Sequence, residues 1–169
     1  ANFTEISTNL WQLTRDYNIS QYAPSGRYYY SNLSVKNAGE LTSDAWSGEP
    51  SVTVSNSITA TKPVITNVTV ANSTLTNGGT FSITITVSSD APVTWLNYSL
   101  EGPSGNLLGG GTGYTFTEIS SNVWQKTLDY NISEYAPSGR YYYSNLSVKN
   151  AAEITSDAWS GEPSVTVNN

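Results

Sequence analysis

A stretch of 52 residues occurs twice in this chain, and that repetition limits the fold more than any other feature. Phe3–Val54 and Phe116–Val167 differ at only seven positions: Thr8/Ser121, Leu10/Val123, Leu13/Lys126, Arg15/Leu128, Gln21/Glu134, Gly39/Ala152 and Leu41/Ile154. The offset is 113 residues. Solenoid repeats run about 20–50 residues and lean on their neighbours to close a core. A period of 113 is instead the size of a domain with its own core. The expected architecture is a string of independent modules. Residues 62–169 hold one complete unit, residues 1–54 hold only the C-terminal half of a preceding unit, and residues 55–61 read as a linker.

The alternation of side chains within the complete unit points to strands. Thr80–Ser88 reads TFSITITVS, with Phe81, Ile83, Ile85 and Val87 on one face and hydroxyls on the other. Pro63–Val70 alternates too, which predicts Val64, Val68 and Val70 inward. Asn77-Gly78-Gly79 between these runs is a turn. Thr94–Leu100, Tyr114–Ile119, Val123–Ile132, Tyr141–Val148 and Ser164–Val167 supply five more strands, whereas the glycine-rich Leu107–Gly113 reads as a flexible turn or bulge. In the tyrosine-rich strand, Tyr142, Leu146 and Val148 share one face, which is assigned to the core. Tyr141 and Tyr143 then fall on the outer face. The Leu13/Lys126 and Arg15/Leu128 exchanges suggest that the Trp124 strand lies near a rim. No helical period of useful length is present. About seven strands with regular turn signals predict an all-β, antiparallel β-sandwich of Ig or fibronectin III type.

Composition narrows the chemistry. Ser, Thr and Asn number 25, 21 and 17, and charged residues make up only 12% of the chain, so hydroxyls and amides keep the surface wet. The net charge is −6 and the basic residues are scattered, which excludes the clustered basic stripe that nucleic acid requires. There is no Cys, Met or His. Disulfide staples, thiolate nucleophiles and histidine general bases are therefore out. No apolar run approaches the roughly 18 residues of a membrane span, so no membrane insertion is expected. A secreted or cell-surface location suits this composition, with any targeting segment outside these 169 residues.

The run Ile132-Ser-Glu-Tyr-Ala-Pro-Ser-Gly-Arg-Tyr, followed by Leu146-Ser-Val-Lys-Asn-Ala-Ala-Glu, resembles a bacterial Ig-like tandem repeat, with Gly102-Pro-Ser-Gly105 as the earlier turn of that pattern. The resemblance spans the complete unit and recurs in residues 19–40. It implies extender modules of large surface adhesins and extracellular fibres, or accessory domains of secreted enzymes. Some related repeats hold Ca²⁺ between modules. Where that pattern has Asp and then Gly-Asn, this chain has Asn150 and then Ala152-Glu153.

Four sets of residues are candidates for chemistry. A calcium site would draw on Asp90, Glu101, Asp157 and Glu162, with Asp44 and Glu49 in the first copy, although these carboxylates are spaced singly rather than clustered. The pair Asp157 and Glu162 has the residue types of a glycosidase, but the same DAWSGE motif recurs at Asp44–Glu49 and reads as turn chemistry, so no catalytic residue is assigned and the chain is read as a non-enzyme. Trp46 and Trp159 are candidates for stacking on a glycan. Asn2, Asn18, Asn32, Asn67, Asn72, Asn97, Asn131 and Asn145 stand in N-glycosylation sequons. No cofactor beyond candidate calcium is implied.

The function expected is that of a structural spacer in a repetitive adhesin or filament, with a glycan-binding module or an enzyme's accessory domain as alternatives. Its expected partners are neighbouring repeats or other copies of the chain. Half a sandwich exposes its core face and sheet edge. Residues 1–54 are therefore expected to be completed by another chain, through strand addition or module swapping. Lys62–Thr115 matches either flanking half, and the half that follows is expected to win.

Overall fold

A computed structural model describes residues 2–57 and 59–169, and every named element is a strand. Four lie before the linker: β1 (Thr4–Ser7), β2 (Leu10–Gln12), β3 (Gly26–Tyr29) and β4 (Ser51–Val54). Nine follow it: β5 (Val64–Val70), β6 (Thr74–Thr76), β7 (Gly79–Ser88), β8 (Val93–Glu101), β9 (Leu107–Gly111), β10 (Thr117–Ser120), β11 (Val123–Ile132), β12 (Gly139–Asn150) and β13 (Ser164–Asn168).

The nine later strands form two sheets around one core. One sheet has the order β10-β11-β7-β5 and the other β6-β13-β12-β8-β9. All pairings are antiparallel except β6 with β13, which is parallel. Phe81, Ile83, Ile85 and Val87 of β7 are buried against Leu96, Leu100, Tyr143, Leu146 and Val148 of the facing sheet. A strict period of two on a β-branched strand buries one whole face of it.

Two strands depart from simple alternation, and each carries a bulge. In β5 the register slips between Ile65 and Asn67. The extra residue reverses the phase, so Ile65 is buried and Val64 is exposed, while Val68 and Val70 still pack on the core. In β12 the register slips between Ser144 and Ser147, where Asn145 takes φ 56°. Residues on the two sides of that bulge can therefore share a face. Tyr141 and Tyr143 are buried together with Leu146 and Val148, and Tyr142 is left outside. The assignment of Tyr141 and Tyr143 to the outer face is thus overturned by one inserted residue.

Two further expectations are corrected. Leu107–Gly111 is a strand, paired along β8 from Tyr98 to Glu101. Gly111 makes room for an aromatic ring, since a Cβ there would lie 2.7 Å from the Tyr114 ring. β11 is paired on both sides only at Val123–Gln125, so the exchanged positions Lys126 and Leu128 lie beyond β10, on a stretch held by β7 alone. Its Lys126 takes the place of a core side chain by extending over the Tyr114 ring, 5.7 Å from the centroid. The count is nine strands in this region rather than about seven.

The two ends of this unit lie at opposite poles. β5 begins with Val64 across from Ser88, the last residue of β7. After β13, the Asn169 side chain donates to the Ala136 carbonyl at 2.7 Å and accepts from the Gly78 amide at 2.7 Å, beside the first residue of β7. β7 is ten residues long, so the poles are about 30 Å apart at about 3.3 Å per residue. The Asn77-Gly78-Gly79 turn cannot be remade with larger residues. Gly78 has φ 79°, and a Cβ there would meet the Ile132 carbonyl at 2.7 Å.

Residues 2–57 repeat the local geometry of their copy. β1 pairs β2 in the same register as β10 pairs β11, including the bulge, and β3–β4 matches β12–β13 over four residue pairs. Left-handed residues recur at Asn9/Asn122, Asn32/Asn145 and Glu40/Glu153. No strand pairing joins β1–β4 to β5–β13 among the described residues.

Candidate functional site

The linker is gripped where it enters the complete unit. The Thr61 amide donates to both Asp90 carboxylate oxygens at 3.0 Å, and its hydroxyl donates to one of them, also at 3.0 Å. Asn150, fully buried, donates its side-chain amide to the Thr61 carbonyl at 2.9 Å. The Asn150 Oδ1 accepts from the amides of Ala152 (3.1 Å) and Ile154 (3.2 Å). This dual role explains the side chain. An aspartate would set a carboxylate against the Thr61 carbonyl and donate nothing. Asn150 is thus an amide that ties linker to module. Lys62 pairs with Asp157 at 2.5 Å, and Pro63, Val64, Ile65 and Trp159 line a small cleft beside that pair.

A second polar group lies on the outer face of β8 and β12. Glu101 accepts from the Ser144 hydroxyl at 2.6 Å and the Tyr142 hydroxyl at 2.5 Å. These two hydrogen bonds, the serine's first, hold its carboxyl below the ordinary carboxylate range. Arg140 pairs with Glu162 at 3.1 Å and lies over the Tyr142 ring, 4.5 Å from the centroid. The first copy repeats this with Arg27, Glu49 and Tyr29.

The four calcium candidates therefore fall in two places, Asp90 and Asp157 at the linker, Glu101 and Glu162 beside Tyr142, and each has a partner of its own. Among the described residues no three acidic side chains converge. Asp157 and Glu162 reach to Lys62 and Arg140 respectively, which separates the two carboxylates of the DAWSGE motif. In the first copy Glu49 pairs with Arg27, and the Asp44 carbonyl accepts from Ser43. Trp159 packs in part against the core, whereas Trp46 is exposed. Of the sequons, Asn2, Asn18, Asn32, Asn67, Asn72, Asn131 and Asn145 are exposed, and Asn97 is half-buried with its amide nitrogen donating to the Asn145 carbonyl.

Most of the exposed large hydrophobic side chains lie on residues 3–54, where sequence reasoning placed an exposed core face without naming its members. Phe3, Tyr30, Leu33, Val35 and Val52 are each 39–54% exposed, while their counterparts Phe116, Tyr143, Leu146, Val148 and Val165 are at most 4% exposed. Asn2, Phe3, Trp11, Val35, Asn37 and Ala38 line an open cleft on this face. The side chains are the same in both copies. What differs is the presence of β5, β7 and β8 against them.

Burial also marks a pair of phenols. The Tyr98 and Tyr114 hydroxyls share a 3.0 Å hydrogen bond, and burial, then that bond, pushes Tyr98 up to about 12. An ordinary phenol ionises near 10.0. Between these values an unfolded chain sheds a proton that the folded chain keeps, so stability is constant below the lower value and falls as pH rises towards the upper. Phenolate absorbance should include a step well above the ordinary value, to which Tyr98 contributes. Replacing Tyr98 by Phe should shrink that step.

No protein-family model matches the chain, and no curated protein matches it.

Proposed function

We propose that the complete unit is an Ig-like spacer module of a repetitive, secreted cell-surface adhesin or extracellular filament. The observation that carries this reading is polarity: the chain enters at the Ser88 pole and leaves at the Gly78 pole. Copies joined in this way extend along the strand axis, so each adds length. The grip of Asp90 and Asn150 on Thr61 supports it further. Asn56 is held by the first copy, its side chain donating to the Ala23 carbonyl at 2.5 Å, and Thr61 is held by the next unit. Only four residues lie between these anchors, which shortens the free hinge. A surface rich in hydroxyls and poor in charge suits a stalk that must stay soluble and inert. The neighbouring repeats are its partners.

The test is a length measurement. Small-angle scattering on chains that differ by one added 113-residue unit should show the maximum dimension growing by about 35–50 Å, one sandwich length plus a short linker. Growth below about 20 Å per unit would mean side-by-side packing and would overturn the spacer reading.

A further inference from the structure

The exposed face of residues 3–54 is a shaped surface, and its copy displays what fits it. Four donors around the 116–167 face hold the preceding segment. The Phe116 amide donates to the Val93 carbonyl at 3.1 Å, the Ala151 amide to the Pro92 carbonyl at 2.8 Å, the Trp124 indole to the Ser89 carbonyl at 3.0 Å, and the Asn150 side chain to the Thr61 carbonyl at 2.9 Å. Their counterparts are Phe3, Ala38, Trp11 and Asn37, and all four line the same open cleft. Apolar shape and hydrogen-bond donors thus call for one sequence.

We propose that the 3–54 face is the docking surface for a second Thr61–Thr115 segment, and that within one chain such a segment serves only the half that follows it. This rests on the spacer reading for its setting, since arrays supply the second segment. The one-way rule comes from chain geometry. Were this chain's own 61–115 segment to fold back on 3–54, Asn56 would hold one pole and Thr61 the other, about 30 Å away. Five residue steps separate them and span at most about 18 Å. Exchange between copies of these 169 residues changes nothing, because each copy carries one donor segment and two acceptor halves. However the donors are shared, as many halves stay open as before. The occupant is therefore a segment whose own following half is this one: a second Thr61–Thr115 sequence joined directly ahead of Phe3.

The experiment uses the full chain in three forms, read by amide hydrogen exchange. With a second 61–115 sequence fused ahead of Phe3, the amides of Tyr30, Leu33 and Val35 should become as protected as those of Tyr143, Leu146 and Val148. Ile85→Asp placed only in the added sequence should abolish that gain and leave the original unit protected. Leu146→Asp in the unextended chain, at a dilution that keeps chains apart, should unfold residues 62–167 without protecting 3–54. Failure of the added segment to protect 3–54 would overturn the docking surface, and protection of 3–54 in the Leu146→Asp chain would overturn the one-way rule. These outcomes are separable from the spacer test, since a docked half could still belong to modules that pack side by side.

Discussion

Tyr143→Ala is expected to cost about 3–5 kcal/mol, the usual range for emptying a large aromatic site in a core. The same substitution at Tyr30 is expected to cost less than about 0.5 kcal/mol, as for an exposed position. Tyr143 is 2% exposed, and its ring lies 5.0 Å from that of Phe81 and 5.5 Å from that of Tyr98. Its phenol is pushed well above the ordinary range, chiefly by burial. Tyr30 has the same neighbours in sequence but is 45% exposed. Because the two residues sit in near-identical segments, local propensity cancels and only tertiary contact differs. Denaturant midpoints of the two variants measure that contact directly. Equal losses would mean that residues 3–54 already bury Tyr30 in solution, against the structure described above.

Asn150→Ala should be the second large effect, at about 2–4 kcal/mol, since it leaves buried backbone groups without partners. Thr61 loses a donor to its carbonyl, and the Ala152 and Ile154 amides lose their acceptor. The site is fully buried, so water cannot readily replace them. Asn37 makes the corresponding turn bonds, to the Gly39 and Leu41 amides at 2.9 and 3.1 Å, but is exposed. Its replacement by Ala should cost about 1 kcal/mol or less, because water takes over the released groups. A second readout separates the linker bond from the turn. Asn150→Asp keeps an acceptor for the two amides and removes the donor to Thr61, so it should loosen exchange at Thr61 more than at 151–154. Uniform loosening at both places would show that the amide does not act as a tie between linker and module.

Both predictions compare one residue in two settings, and the same contrast divides what each level of description determines. The copy of 52 residues and the period of 113 are properties of the sequence, and so is the alternation that makes Phe81, Ile83, Ile85 and Val87 a core face. A strand pattern of this kind depends on successive side chains pointing to opposite sides, which is local geometry. The local turns follow as well. Asn9, Asn32 and Glu40 take the same left-handed conformations as Asn122, Asn145 and Glu153, although one set is exposed and the other belongs to a packed unit.

Long-range pairing decided the rest. Bulges at Ile65–Asn67 and Ser144–Ser147 exist only because two strands must stay in register over their whole length, and they moved Tyr141 and Tyr143 into the core and Val64 out of it. Leu107–Gly111 reads as a turn by its glycines and becomes a strand because β8 offers it an edge and Tyr114 needs room. The carboxylates Asp90 and Asp157, far apart along the chain, meet at the linker only after folding. Periodicity is written residue by residue and so can be read from sequence. Which face turns inward after a bulge, and which acid finds which amide, depends on partners dozens of residues away.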